Sequence, residues 1–235
     1  MSVIVNIAIG LATSVISGVL VWLWERGKRL RALNRRGRFF GLAPGGTCLI
    51  VMNNAHDAPT RAAQEDVLAM LDVAALAGEF GCEVTVESSG GFRGSNGDRT
   101  EFCVGGPGSN ARTAGHMAAY LPGFRILPWN SGPDSIAFRI GGRTYRYDKA
   151  HQQYALVAKF RPAEAAAPVI LICGQGPVAN RAAIHFLKRA HRELAAAVPS
   201  QDRYCLLVRV ANIETYGHLG SALERDVTEA VFSAA

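Results

Sequence analysis

The sequence has no C-x-x-C pair, and its cysteines are odd in number: Cys48, Cys82, Cys103, Cys173 and Cys205. It therefore offers no support for a disulfide framework or a zinc site. Four of the five lie in or beside apolar runs, where a thiol behaves as a small hydrophobe. The expectation is a reducing compartment. Walker A, G-x-S-x-G and H-E-x-x-H are all missing, so no strong catalytic signature is present. His116, His185 and His191 share no metal-ligand spacing. No metal is expected, and the sequence names no cofactor.

Charge is also lacking where nucleic-acid binding would need it. The formal net charge is +6. Residues 1–38 hold seven basic side chains (Arg26, Lys28, Arg29, Arg31, Arg35, Arg36 and Arg38) against one acid, Glu25. That excess accounts for the whole +6, and residues 39–235 balance at eighteen basic and eighteen acidic. The basicity thus belongs to one short cluster, and no nucleic-acid partner is expected for the rest.

What is present begins with an uncharged run of 22 residues, Val3–Trp24. About 20 residues of helix cross a bilayer core. Trp22 and Trp24 close the run, where interfacial aromatics belong. The positive cluster follows the run instead of preceding it, which does not suit a cleavable signal peptide. The positive-inside rule then predicts a single-pass signal anchor in the cell membrane, N-terminus outside and the remainder cytoplasmic. The lipid bilayer is the expected partner, through residues 3–24 and the basic cluster 26–38. Gly10, Ser14 and Gly18 share one helix face at small-xxx-small spacing, which permits a homodimer. Residues 25–46 are read as a juxtamembrane helix or linker ending at the breaker cluster Ala43-Pro44-Gly45-Gly46, with an α/β domain over 47–235.

Within that domain one motif occurs twice. Cys103-Val104-Gly105-Gly106-Pro107-Gly108-Ser109-Asn110 and Cys173-Gly174-Gln175-Gly176-Pro177-Val178-Ala179-Asn180 share a register seventy residues apart. Each follows a β-rich run and precedes an Ala-rich helical pattern. The reading for both is a buried strand ending at the Cys, a tight Gly-Pro turn and an Asn at the helix N-cap. Free N–H groups and the positive end of a helix dipole then favour an anion. Arg112 and Arg181 fall in the first turn of each helix, where a ligand phosphate would explain them. The sites expected to border one cleft are Gly105, Gly106, Pro107, Asn110, Arg112, Gly174, Gly176, Pro177, Asn180 and Arg181.

The rest of the pattern is strand, helix, strand. A buried strand is expected at 47–52, then a polar loop with His56, Asp57 and a capping Thr60. A helix follows over 61–80, closed by Gly81. A strand over 83–87 leads to a Gly/Ser-rich stretch, 88–99. Four β-like runs, 125–128, 135–140, 143–147 and 154–160, read as an antiparallel insertion or sheet extension. The second motif follows, then a helix to 197, a strand over 204–210 and a last helix. The predicted fold is α/β and Rossmann-like: a mainly parallel, doubly wound sheet with an antiparallel β insertion, plus one N-terminal transmembrane helix.

The duplicated turn resembles that of Rossmann-like domains in uncharacterised bacterial and archaeal proteins, which carry a Gly-Gly-Pro-x-x-Asn sequence. Over residues 47–220 the chain is similar in outline to nucleotide-handling domains of the TIR-like and nucleoside-deoxyribosyltransferase-like group. Gly105, Gly106, Pro107 and Asn110, with Gly176, Pro177 and Asn180, carry the likeness. It implies a nucleotide-like ligand. In enzymes of that group a glutamate cleaves an N-glycosidic bond, and Glu87, at a strand end on the expected rim, is the residue it would fall to. Glu101, ahead of the first motif, is a second carboxylate of the same kind. Three readings follow: a module that binds or senses a nucleotide or related phosphorylated ligand, a nucleotide-processing enzyme, or a membrane-proximal assembly domain.

Overall fold

A computed structural model describes residues 2–53, 61–90 and 97–233. His56, Asp57 and Thr60 lie outside the described residues, as does half of the Gly/Ser-rich stretch, 91–96.

Helix α1 (Ser2–Phe40) is 39 residues long. It contains a window apolar enough to cross a membrane, and none of that window is buried by the rest of the chain. The apolar run and the basic cluster form one unbroken helix as far as Phe40, and the chain turns at 41–46. Arg26 lies over the Trp22 ring and Lys28 over the Trp24 ring, at 5.1 and 3.4 Å. The far end of α1 and the turn after it belong to the folded core: Phe39, Phe40 and, just beyond the helix, Leu42 are at most 3% exposed. Phe39 stacks on Tyr204, whose hydroxyl donates to the Phe39 carbonyl at 3.1 Å. The Lys159 ammonium donates to the carbonyls of Arg38 and Gln201. The folded unit therefore starts inside the stretch that composition reads as a juxtamembrane segment.

The central sheet is built from β1 (Thr47–Met52), β2 (Glu83–Ser88), β3 (Thr100–Val104), β7 (Gln152–Phe160), β8 (Val169–Gly174), β9 (Tyr204–Ala211) and β10 (Ser221–Asp226), in the order β10-β9-β7-β8-β3-β1-β2. Pairs β2-β1, β1-β3 and β3-β8 are parallel; β8-β7, β7-β9 and β9-β10 are antiparallel. Five of the seven strands thus run one way. Alternation along β8 shows how the sheet is held: Ile170 and Ile172 face one core cluster, Val169, Leu171 and Cys173 the other. A strand buried on both faces reads as a continuous apolar run, as VILIC does.

One face is covered by α2 (Gln64–Glu79), α4 (Pro177–Ala197) and the end of α1. The other carries α3 (Ala111–Tyr120), α6 (Thr228–Phe232) and a small antiparallel meander of β4 (Phe124–Ile126), β5 (Phe138–Ile140) and β6 (Arg143–Tyr145). A four-residue α5 (Ile213–Tyr216) follows β9.

The four β-like runs do not form one insertion. Three make the meander, while the fourth, β7, enters the middle of the main sheet, with eight of its nine residues buried. The 135–140 run is shortened because Ile136 has φ 51°, which breaks the strand. Helix α2 starts at Gln64, later than expected, on Ala63 with no side-chain cap; Gly81 closes it at φ 67°.

Candidate functional site

Strands β3 and β8 are neighbours and run parallel. The chain leaves β3 toward α3 on one face and β8 toward α4 on the other. Their two Gly-Pro turns diverge above adjacent strand ends, which is where open α/β sheets form a crevice. The crevice here has a volume of about 730 Å³. Gly106, Pro107, Gly108 and Ser109 line it from the first turn; Gly174, Gln175, Gly176, Pro177 and Asn180 line it from the second. Ile126, Trp129, Ile136 and Phe138 of the meander form an apolar wall, and Asn53 and Asp66 complete the polar floor.

The two turns are alike in backbone. Gly106 C=O accepts the N–H of Ser109 and Asn110, and Gly176 C=O accepts that of Ala179 and Asn180. They differ in their asparagines. Asn110 is a true N-cap, extended at φ −133°, its side chain accepting from Arg112 and Thr113 N–H. Its amide donates to Val51 and Val104 C=O, both at 3.1 Å. It is 0% exposed and does not line the cleft. Asn180 is not a cap, contrary to expectation. The N-cap of α4 is Gly176 with Pro177 at the first helical position, so Asn180 lies within the first turn. The reason lies between Pro and Asn: Val178-Ala179 continues a helix more readily than Gly108-Ser109. Asn180 Oδ1 accepts from Gly174 N–H at 2.6 Å, and Nδ2 donates to Asp66 Oδ1 at 2.8 Å.

Asp66 is the site residue that sequence reasoning missed. It sits in the first turn of α2 and is 1% exposed. Asn53, just past β1, donates to its other oxygen at 2.7 Å. Burial pushes the carboxyl above its ordinary range, and the two amide donors oppose this. Asn53 Oδ1 is buried and finds no hydrogen-bond partner among the described residues. A first-turn acid reads as ordinary helix-dipole chemistry, so no signal in one sequence separates Asp66 from Glu65 beside it.

Two backbone features fix the floor and the wall. Gly105 has φ 109°, and a Cβ there would come within 2.7 Å of Asn53. Gly105 backs the cleft without lining it. Gln175 Oε1 accepts from Tyr154 N–H, while Nε2 donates to the carbonyls of Ile136 and Tyr145. One side chain thereby pins the meander to β7. Ile136, β-branched at positive φ, is strained.

The remaining expected residues lie elsewhere. Arg112 is not at the mouth: its guanidinium makes a bidentate pair with Glu101, both bonds 2.7 Å. His116 Nε2 and Cys103 Sγ also meet Glu101 Oε1, at 2.9 and 3.0 Å. Despite burial, these donors hold the Glu101 carboxyl down at about 2, while desolvation pushes the Cys103 thiol up. Ligand atoms of Glu101, Cys103 and His116 lie within 4.8 Å of one another. The Arg112 cation already balances that carboxylate, so a metal would have to displace it. Arg181 pairs with Glu65 at 3.0 Å and does not line the cleft. Glu87 is on an edge strand, 3.8 Å from Arg99 and outside the cleft. Among the described residues, no lysine or arginine lines the cleft.

No protein-family model matches the chain, and no curated protein matches it.

Proposed function

We propose that this chain is a membrane-anchored, Rossmann-like binding module whose cleft takes a nucleoside or lightly phosphorylated nucleotide. The observation that carries the reading is the convergence of both copies of the motif on one 730 Å³ cleft, within the usual size of small-molecule sites. The wall of Trp129, Ile126 and Phe138 suits a flat apolar base. The glycine turns allow close backbone approach, and the start of α4 favours negative charge. Among the described residues the lining holds a carboxyl and no cation, so a ligand with one or two negative charges fits better than a triphosphate. The apolar run of α1 spans the membrane with the domain on the cytoplasmic side, and the Gly10-Ser14-Gly18 face is available for pairing. Five free cysteines suit that compartment.

Thermal unfolding of the full chain in detergent, with nucleosides and with nucleoside mono- and triphosphates, tests the ligand. A ligand that binds only the folded state raises its apparent stability. Nucleoside or monophosphate should raise the midpoint most; no rise with any of them overturns the reading. Protease added to intact cells should spare residues 41–233.

Asp66 favours one second reading. A buried carboxyl with a raised proton affinity is suited to acid–base work, which makes Asp66, and not Glu87, the residue for cleavage of an N-glycosidic bond. Chromatography of nucleoside incubated with the protein would reveal released base, and Asp66→Asn should abolish release while retaining binding.

A further inference from the structure

A second cavity of about 810 Å³ lies where α1 passes along α4, and it differs in character from the cleft. Arg29, Arg35 and Arg36 of α1 line it, with His191 and Arg192 of α4. Alanines and Leu33 form its floor, and no acid among the described residues lines it. Arg36 is paired with Glu79. Arg29, Arg35 and Arg192 enter no ion pair among the described residues. All three are exposed, so their charge is open to an anion arriving from outside.

We infer that this groove binds the headgroup of an anionic phospholipid. The inference rests on the reading of α1 as a membrane anchor. Arg29 follows Trp24 by five residues, about 7 to 8 Å of helix, roughly the depth of one headgroup layer. Side chains on a helix lean toward its N-terminus, so the α1 arginines reach back toward the apolar run. Arg192 closes the same groove from α4, which ties the folded domain to the lipid surface. The apolar floor suits a lipid with its glycerol end against alanine, and a soluble phosphate would make no use of it.

The test uses the full chain in nanodiscs of phosphatidylcholine alone, or with one-third phosphatidylglycerol, and reads the thermal midpoint. The anionic lipid should raise the midpoint by about 2–4 °C, the response of a domain this size to a tenfold-scale binding effect. Arg35→Gln with Arg192→Gln should remove the rise. Arg31→Gln, an exposed position outside the groove, should keep it. Equal midpoints of the unaltered chain in both discs overturn the inference. So does an equal loss in Arg31→Gln, which would mean diffuse attraction only. The same rise from inorganic phosphate in neutral discs would assign the groove to a soluble anion and also overturn it. Flotation with vesicles is read separately: a chain that fails to float overturns the anchor and this inference together, whereas one that floats but shows no lipid-dependent rise overturns the inference alone.

Discussion

The two Gly-Pro turns share a sequence register and a backbone hydrogen-bond pattern, yet their asparagines have separate tasks. Asn110 is wholly internal: it caps α3 and stitches the ends of β1 and β3. Asn180 faces the cleft and holds a carboxylate. Their neighbouring arginines part in the same way. Arg112 is locked against buried Glu101, and Arg181 makes a looser pair with Glu65. A repeat in sequence is thus a repeat of backbone; what each side chain does depends on what packs behind it. The first turn builds the scaffold and the second carries the polar chemistry.

Substitution at the asparagines should expose this difference most strongly. Asn110→Asp would turn a carboxylate toward the Val51 and Val104 carbonyls where an amide now donates. A cost of about 3–5 kcal/mol is expected, as for an unpaired buried charge, measured by denaturant unfolding. Asn180→Asp sets a second carboxylate against Asp66. Such a pair shares a proton, and its proton affinity rises. That variant should be close to unaltered stability in acid and lose stability as pH rises through the pair's raised range. Equal, pH-independent losses at both positions would break the comparison.

The arginine partners come next. Glu101→Gln should cost about 3 kcal/mol, because it leaves Arg112 and His116 facing a neutral group; Arg181→Gln should cost about 0.5 kcal/mol or less, as for a part-exposed pair. The Glu101 carboxyl is held down at about 2 against an ordinary 4.5. The stability it contributes is therefore fully present above pH 4.5 and is lost as pH falls toward 2. Acid unfolding of Glu101→Gln should lack that limb. Asp66 has the opposite sign: its raised carboxyl favours the fold below the ordinary 3.8 and less so as pH rises.

A smaller contrast separates the glycines. Gly105→Ala is strained at φ 109° and meets Asn53 at 2.7 Å, so about 2 kcal/mol is expected. Gly176→Ala meets only the end of the Gln153 side chain at 2.8 Å, which can move, and should cost about 1 kcal/mol. Smallest in stability is Trp129→Ala. The ring is 75% exposed, so the fold should change by less than about 0.5 kcal/mol. Titration calorimetry with a nucleoside should still register a roughly tenfold loss of affinity, the worth of one base stack.

Much of the fold was legible because its signals are local. The apolar run, the buried strands at 47–52 and 169–173, and the helix stop at Gly81 each follow from neighbours in sequence. The place of β7 was not legible: a β-like run beside three others looks like one hairpin series, and only burial on both faces draws it into the main sheet. Half of the candidate site was legible for the same reason. The turns announce themselves through Gly and Pro, but Asp66 acquires its importance from Asn53 and Asn180, 13 and 114 residues away.

The sequence by itself determined an apolar helix with a basic flank, an alternating α/β core and two glycine turns at strand ends, since periodicity, length and backbone freedom are properties of short stretches. Only the tertiary structure decided that α1 ends in the core, that Arg112 is taken by Glu101, that Asn110 is scaffold and that Asp66 lies on the floor of the cleft. Those outcomes depend on which buried groups find a partner, and hydrogen bonding and desolvation act between residues that the chain order keeps apart.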